Sequence, residues 1–266
     1  MHRGNLNKMT TEIIDGVIQY TLTIGDSEIS LNNEIGKQIN IEYLDVINCI
    51  HCGTKTKNSY GQGYCGKCFR TLPQTDRNIM NPELDMAHYG ISRDMEWAKK
   101  NSLTKHFVYL ADTGEIKVGV TRESQIPTRW IDQGADKAII IAETPNRHIA
   151  GTIEVYLKRF FNDKTKWKKM LSGKNGKHDI LAEKDKAFEL VHPEFKQYFI
   201  NNSIPTELNF PIEKYPEVIL QNINLERAKS YKGKLTGIKG QYLIFENGDV
   251  LNVRKHGGFL INFKIN

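Results

Sequence analysis

Four cysteines fall in two C-x-x-C pairs, Cys49/Cys52 and Cys65/Cys68, with twelve residues between the pairs. Each pair forms a tight knuckle offering two thiolates, and two knuckles supply the four donors of a tetrahedral zinc ion. Gly53 follows the first pair and Gly66 lies inside the second, where a missing Cβ lets the backbone turn toward the metal. The alternatives are two disulfides or four free thiols. A chain expected in a reducing compartment, with no other cysteine, fits disulfides poorly. The spacing therefore predicts a structural zinc ribbon. Four thiolates close the coordination sphere, so no catalysis is expected there, and His51 reads as a surface residue.

A second group carries different chemistry. In "HFVYLADTGEIKVGVT", Tyr109 and Lys117 sit on two short apolar runs that flank a turn, and Arg129 and Glu154 follow in sequence. A three-residue loop over 112–114, with Gly114 left-handed, puts Ala111 opposite Glu115 and Tyr109 opposite Lys117, both on one face. A two-residue Thr113–Gly114 loop would separate them. Gly119 removes a side chain from the second strand, which permits a close approach to its backbone. A tyrosine, a lysine and an arginine together suit phosphate handling. Each residue also has an ordinary reading: a strand tyrosine, an arginine paired with a carboxylate, a solvated helix glutamate.

The net charge of +6 is unevenly spread. Residues 158–177 hold eight Lys or Arg and one Asp, a local +7, so the remainder sums to −1. Such a strip suits a phosphate backbone, and a solvated helix face is the bland alternative. Within it Lys164, Lys166, Lys168 and Lys169 surround Trp167, a residue suited either to base stacking or to anchoring a helix. Arg147 at a predicted helix start is a further phosphate contact, beside His148 in a surface capping turn. The expected partner is nucleic acid, DNA or RNA. No run approaches the roughly 18 apolar residues of a membrane helix. The opening "MHRGNLNKMTTEIIDG" lacks an apolar signal core, so the cytoplasm is the expected location.

The elements that must position these residues give an α+β expectation. Alternation in "GVIQYTLTIGDSEISLNN" predicts a hairpin, and "KQINIEYLDVINC" a strand leading into Cys49. "KAIIIAET" reads as a buried strand. "TPNRHIAGTIEVYLKRFF" reads as a helix capped by Thr144 or Asn146, burying Ile149, Ile153, Tyr156, Leu157 and Phe160. The expected organisation is an N-terminal β segment over 1–46, the ribbon over 47–72, a connector with a short helix over 73–104, and a small α/β core over 105–172. A helical extension over 173–230 and a C-terminal β segment over 231–266 follow, the latter a pairing candidate for 10–46.

The order of the Tyr109 group resembles the GIY-YIG nuclease superfamily, in which two motif strands, an arginine and a helix-borne glutamate build one site. Val108–Tyr109 matches the first motif. Lys117–Val118–Gly119 stands where the second would be, with lysine for its tyrosine, a form that divergent branches show. Asn162 is a candidate for the downstream asparagine. The strings "CIHCG", "GYCGKC", "HFVYLA", "KVGVTR", "QIPTRWIDQGA" and "DKTKW" further resemble an uncharacterised bacterial domain-of-unknown-function family that pairs a zinc ribbon with such a core. Its members often carry extra cysteines before the "VYLA" strand, and this chain has none there. The resemblance implies metal-assisted phosphodiester hydrolysis. Glu154 would hold one divalent cation, Mg²⁺, Tyr109 would position or deprotonate water, Lys117 would favour the phenolate or bind phosphate, and Arg129 would neutralise phosphoryl charge. The competing expectations are an inactive nucleic-acid-binding module and a protein-interaction scaffold.

Overall fold

A computed structural model describes residues 1–173, 178–216 and 220–266. Residues 174–177 of the basic run, with two of its lysines, lie outside the described residues. The fold is mixed α+β. In chain order the strands are β1 (His2–Asn5), β2 (Thr10–Ile14), β3 (Val17–Ile24), β4 (Ser27–Ser30), β5 (Gln38–Asn48), β6 (Lys55–Thr56), β7 (His106–Asp112), β8 (Ile116–Arg122), β9 (Lys137–Thr144), β10 (Thr206–Glu207), β11 (Gln221–Asn222), β12 (Ser230–Lys239), β13 (Tyr242–Phe245), β14 (Asp249–Asn252) and β15 (Phe259–Ile265). The α-helices are α1 (Gly66–Thr71), α2 (Arg77–Met80), α3 (Met95–Asn101), α4 (Thr128–Asp132), α5 (Arg147–Leu157), α6 (Trp167–Leu171), α7 (Ile180–Leu190) and α8 (Leu225–Ala228). The chain divides into two compact units, one of Met1–Arg70, Leu171–Gly173 and Asn209–Asn266, the other of Thr71–Met170 and Lys174–Leu208.

The first unit is built on a sheet of order β1-β15-β5-β12-β13-β14-β11, with β6 also paired to β5. β5 is its hub. Ile39, Ile41, Tyr43 and Ile47 alternate inward along it, as a strand with one buried face requires. It pairs antiparallel with β15 (Ile41↔Phe263) and with β12 (Ile41↔Tyr231), so the tail strands flank the strand that enters the ribbon. β2, β3 and β4 form a separate three-stranded sheet.

The second unit carries the antiparallel sheet β10-β9-β7-β8. Val108, Leu110, Ile116, Val118, Ile139 and Ile141 pack with Ala150, Ile153 and Leu157 of α5 and Ile180 and Ala187 of α7. Asn146 caps α5, accepting from the Ile149 N–H at 3.0 Å. The Thr144 hydroxyl instead donates to the His106 and Asn146 carbonyls. Of the expected helix stripe, Ile153 and Leu157 are buried, whereas Phe160 lies past the helix end and is exposed. Across the helix from the sheet, Gly151 meets the connector: an added Cβ would stand 2.3 Å from the Glu83 nitrogen. That close approach needs glycine, and it fixes α5 from its second side.

The β7–β8 hairpin departs from the expected register. Tyr109 pairs with Gly119, Ala111 with Lys117 and Asp112 with Ile116. The turn is Thr113–Gly114–Glu115, shifted by one residue from 112–114. Its cause is local: the Asp112 carboxylate accepts from the Gly114 N–H at 2.9 Å, an Asx turn, while Gly114 adopts φ 88°. The other carboxylate oxygen lies 3.0 Å from His178 Nδ1. Moving the turn by one residue moves the partner of Tyr109 by two, so Tyr109 and Lys117 remain on one face as diagonal neighbours.

Candidate functional site

The cysteine cluster grows out of β5. Asn48 ends that strand, and β6 returns along it with Asn48↔Lys55, which closes the first knuckle. The Gly53 N–H donates to the Cys49 carbonyl at 2.9 Å, and the Phe69 N–H donates to that of Cys65 at 2.9 Å to start α1. No disulfide joins the cysteines. Their four sulfurs lie within 4.8 Å of one another, and Cys52 and Cys65 are 3.9 Å apart. Zinc–sulfur bonds of about 2.3 Å in a tetrahedron imply sulfur separations of about 3.8 Å, so the cluster fits a metal such as zinc. The Cys68 N–H also points at Cys65 Sγ, 3.5 Å away. Hydrogen bonding at Thr54 lowers the Cys52 thiol to about 6, as a thiolate ligand needs, while burial pushes Cys68 up to about 12. A bound metal would replace those protons.

In the second unit Arg129 and Glu154 act electrostatically on both Tyr109 and Lys117. Tyr109 is fully buried, and its ring stands edge-on to Trp130 of α4 at 6.0 Å. Its ring lies over Gly119, where an added Cβ would come 2.5 Å from the phenol oxygen. The absence of a side chain at Gly119 thus makes room for Tyr109. Gln133 Nε2 donates to the phenol at 2.7 Å. Burial raises the Tyr109 hydroxyl above its ordinary value, and Arg129 pulls the other way.

Lys117 is buried at 7 % exposure. Burial, aided by the Arg129 charge, lowers its ammonium to about 8, against the pull of Glu154. Arg129 itself is exposed on α4. Glu154 follows Ile153 on α5 and is 8 % exposed. Burial raises its carboxyl, opposed by Lys158, whose Nζ lies 3.4 Å away, and by Lys117 and Arg129. Three cations therefore act on one carboxylate beside a phenol.

The predicted nucleic-acid contacts divide differently. Lys166 and Lys169 both pair with Glu115 of the hairpin turn, at 2.9 and 3.1 Å. Asn162 Nδ2 donates to the same carboxylate at 3.0 Å, and its carbonyl accepts from the Val118 N–H at 2.9 Å. Asn162 thus reaches the Lys117 strand through its backbone. Lys168 lies over the half-buried Trp167 ring at 5.6 Å, and Lys164 is exposed. Arg147 is committed elsewhere: it donates to the Asn78 and Ile79 carbonyls, at 3.3 and 2.9 Å, and lies 4.0 Å from buried Asp85.

The sequence gives Glu115 and Gln133 no role of their own, and Lys158 only a place in the basic strip. Glu154 and Lys158 have the i,i+4 spacing of a helical ion pair, a signal that was present. Glu115 carried none, because its partners lie about fifty residues away.

Comparison with curated proteins and with solved structures returns no significant match. A family model matches residues 36–261, a span that contains the four cysteines, the β7–β8 hairpin, α4 and α5. On that match the chain belongs to the family described as "Protein of unknown function (DUF2797)".

Proposed function

We propose that this is a nucleic-acid-binding protein that holds a structural zinc ion at its four cysteines and hydrolyses phosphodiesters in a GIY-YIG-like site of Tyr109, Lys117, Arg129 and Glu154. The supporting observation is the grouping of Lys117, Arg129 and Lys158 around the buried Glu154 carboxylate, beside Tyr109. The excess of positive charge at low exposure suits a phosphate. Lys164 and Lys168, with Lys166 and Lys169 when they exchange Glu115 for phosphate, would follow the backbone.

The chain's own groups divide the work. Exposed Arg129 neutralises charge that develops on the phosphoryl oxygens. Lys117, lowered to about 8, is mostly a phosphate-binding cation at pH 7 and becomes the better proton acceptor as the pH approaches 8. Tyr109, raised by burial and hydrogen-bonded by Gln133, stays a phenol that fixes position. The water-deprotonating role implied for Tyr109 by the resemblance therefore passes to Lys117. Glu154 is the carboxylate that would hold a divalent cation such as Mg²⁺. One carboxylate amid three cations is a poor site for a divalent ion by itself, so Glu154 would hold one only with the added negative charge of a substrate phosphate. Such an ion would supply charge stabilisation at the phosphoryl group.

A second reading, binding without turnover, is favoured by the closure of Tyr109 from solvent and by the Lys158–Glu154 pair. Incubating the purified chain with labelled DNA and RNA strands, with and without Mg²⁺, separates the two. Mg²⁺-dependent cleavage supports the site as hydrolytic, and retention of uncut, bound strands leaves the binding reading.

A further inference from the structure

We propose that the cysteine ribbon carries a separate contact for single-stranded nucleic acid, a base-stacking platform made by Tyr60 and Phe69. It rests on the nucleic-acid reading above but uses none of the residues placed in the Tyr109 site or the basic strip. Residues 46–70 contain Lys55, Lys57, Lys67 and Arg70 and no Asp or Glu, so the ribbon is a wholly cationic segment. Within it, two large aromatic side chains stand outside the core: Tyr60 is 42 % exposed and Phe69 37 %. Their rings stack, with centroids 5.8 Å apart and planes 28° from parallel.

The pair is held in place. The Phe69 ring packs on the Gly61 backbone, where an added Cβ would meet Cε2 at 2.8 Å. A Cβ at Gly66 would lie 3.6 Å from Tyr60 Cε2 and 3.7 Å from Arg70 Nη1, so both side chains border Gly66. Ile50, between Cys49 and Cys52, is also exposed. Aromatic rings seated beforehand, with cations at hand, stack on unpaired bases and attract their phosphates. A duplex keeps its bases stacked on one another, so the platform selects single strands. A protein partner would have no such requirement for exposed base faces.

The test uses the full-length, zinc-loaded chain and a fluorescein-labelled oligothymidine, beside a duplex of the same length, without Mg²⁺. Tyr60→Leu with Phe69→Leu keeps apolar bulk and removes the π faces, and metal content reports the fold. The expected result is a loss of about 10- to 100-fold in single-strand affinity. Duplex affinity and the slope of log K against log salt should stay unchanged, since phosphate contacts remain. Tyr60→Trp should restore stacking, and its fluorescence should be quenched by the strand. Unchanged single-strand affinity in the double variant, or an equal loss on duplex, would overturn the platform while leaving the nucleic-acid reading intact. A wild-type chain that binds neither nucleic acid would overturn both.

Discussion

Lys117 is where the chemistry of the proposed site is sharpest. A buried lysine lowered from 10.5 to about 8 destabilises the fold at neutral pH, because the folded state resists the proton that the unfolded chain holds. Between about pH 8 and 10.5 the unfolded chain binds more protons, so this cost fades as pH rises through that window. Lys117→Met is therefore expected to stabilise the protein at pH 7, by up to about 3 kcal/mol, with the gain gone near pH 10.5. Urea denaturation of wild type and variant across that range reads the effect. A destabilised Met variant at pH 7 would show that Lys117 has a stabilising counter-charge and is no proton acceptor near neutrality. The same residue must be lost to function if it accepts a proton or binds phosphate, so stability and activity should move in opposite directions.

Among the elements, the hairpin turn and the basic strip are joined through Glu115. Its carboxylate holds Lys166 and Lys169 and receives Asn162, and those pairs lower it below the usual carboxylate range. Exposed ion pairs of this kind are weak, so a phosphate can displace Glu115. Glu115→Gln should raise nucleic-acid affinity and steepen its salt dependence by up to about two counterions, one per released lysine. Titrations at several salt concentrations measure both, and an unchanged slope would show that these lysines do not reach the backbone. Much of this level was legible in the sequence. Short apolar runs gave β7, β8 and β9, the 3.6-residue stripe gave α5, and turn parity placed Tyr109 and Lys117 on one face. The register itself was not legible, because the Asx turn at Asp112 competes with the 112–114 loop and only the backbone decides between them. The commitment of Arg147 to the connector carbonyls was equally hidden, since a helix-start arginine looks the same whether it meets phosphate or a loop.

At the scale of the whole molecule, the two units carry different chemistry. The first holds the cysteine cluster at the end of β5, where four sulfurs within 4.8 Å need a metal to remain together as thiolates. Metal analysis should find about one zinc per chain, and a strong chelator should lower the unfolding midpoint. A metal-free chain, or a Cys49–Cys52 disulfide, would contradict this. The second holds the Tyr109 group, and its reading as a phosphodiester site is the central claim. The most direct test follows binding and cleavage of one labelled strand by wild type and by Glu154→Gln, each with Mg²⁺. The account predicts that wild type cuts the strand and that the variant, which keeps Lys117, Arg129 and the basic strip, binds it within a few-fold of wild type yet cuts it at least 100-fold more slowly. Cleavage by the Glu154→Gln protein at the wild-type rate, or a wild-type protein that binds the strand and never cuts it, would contradict the claim.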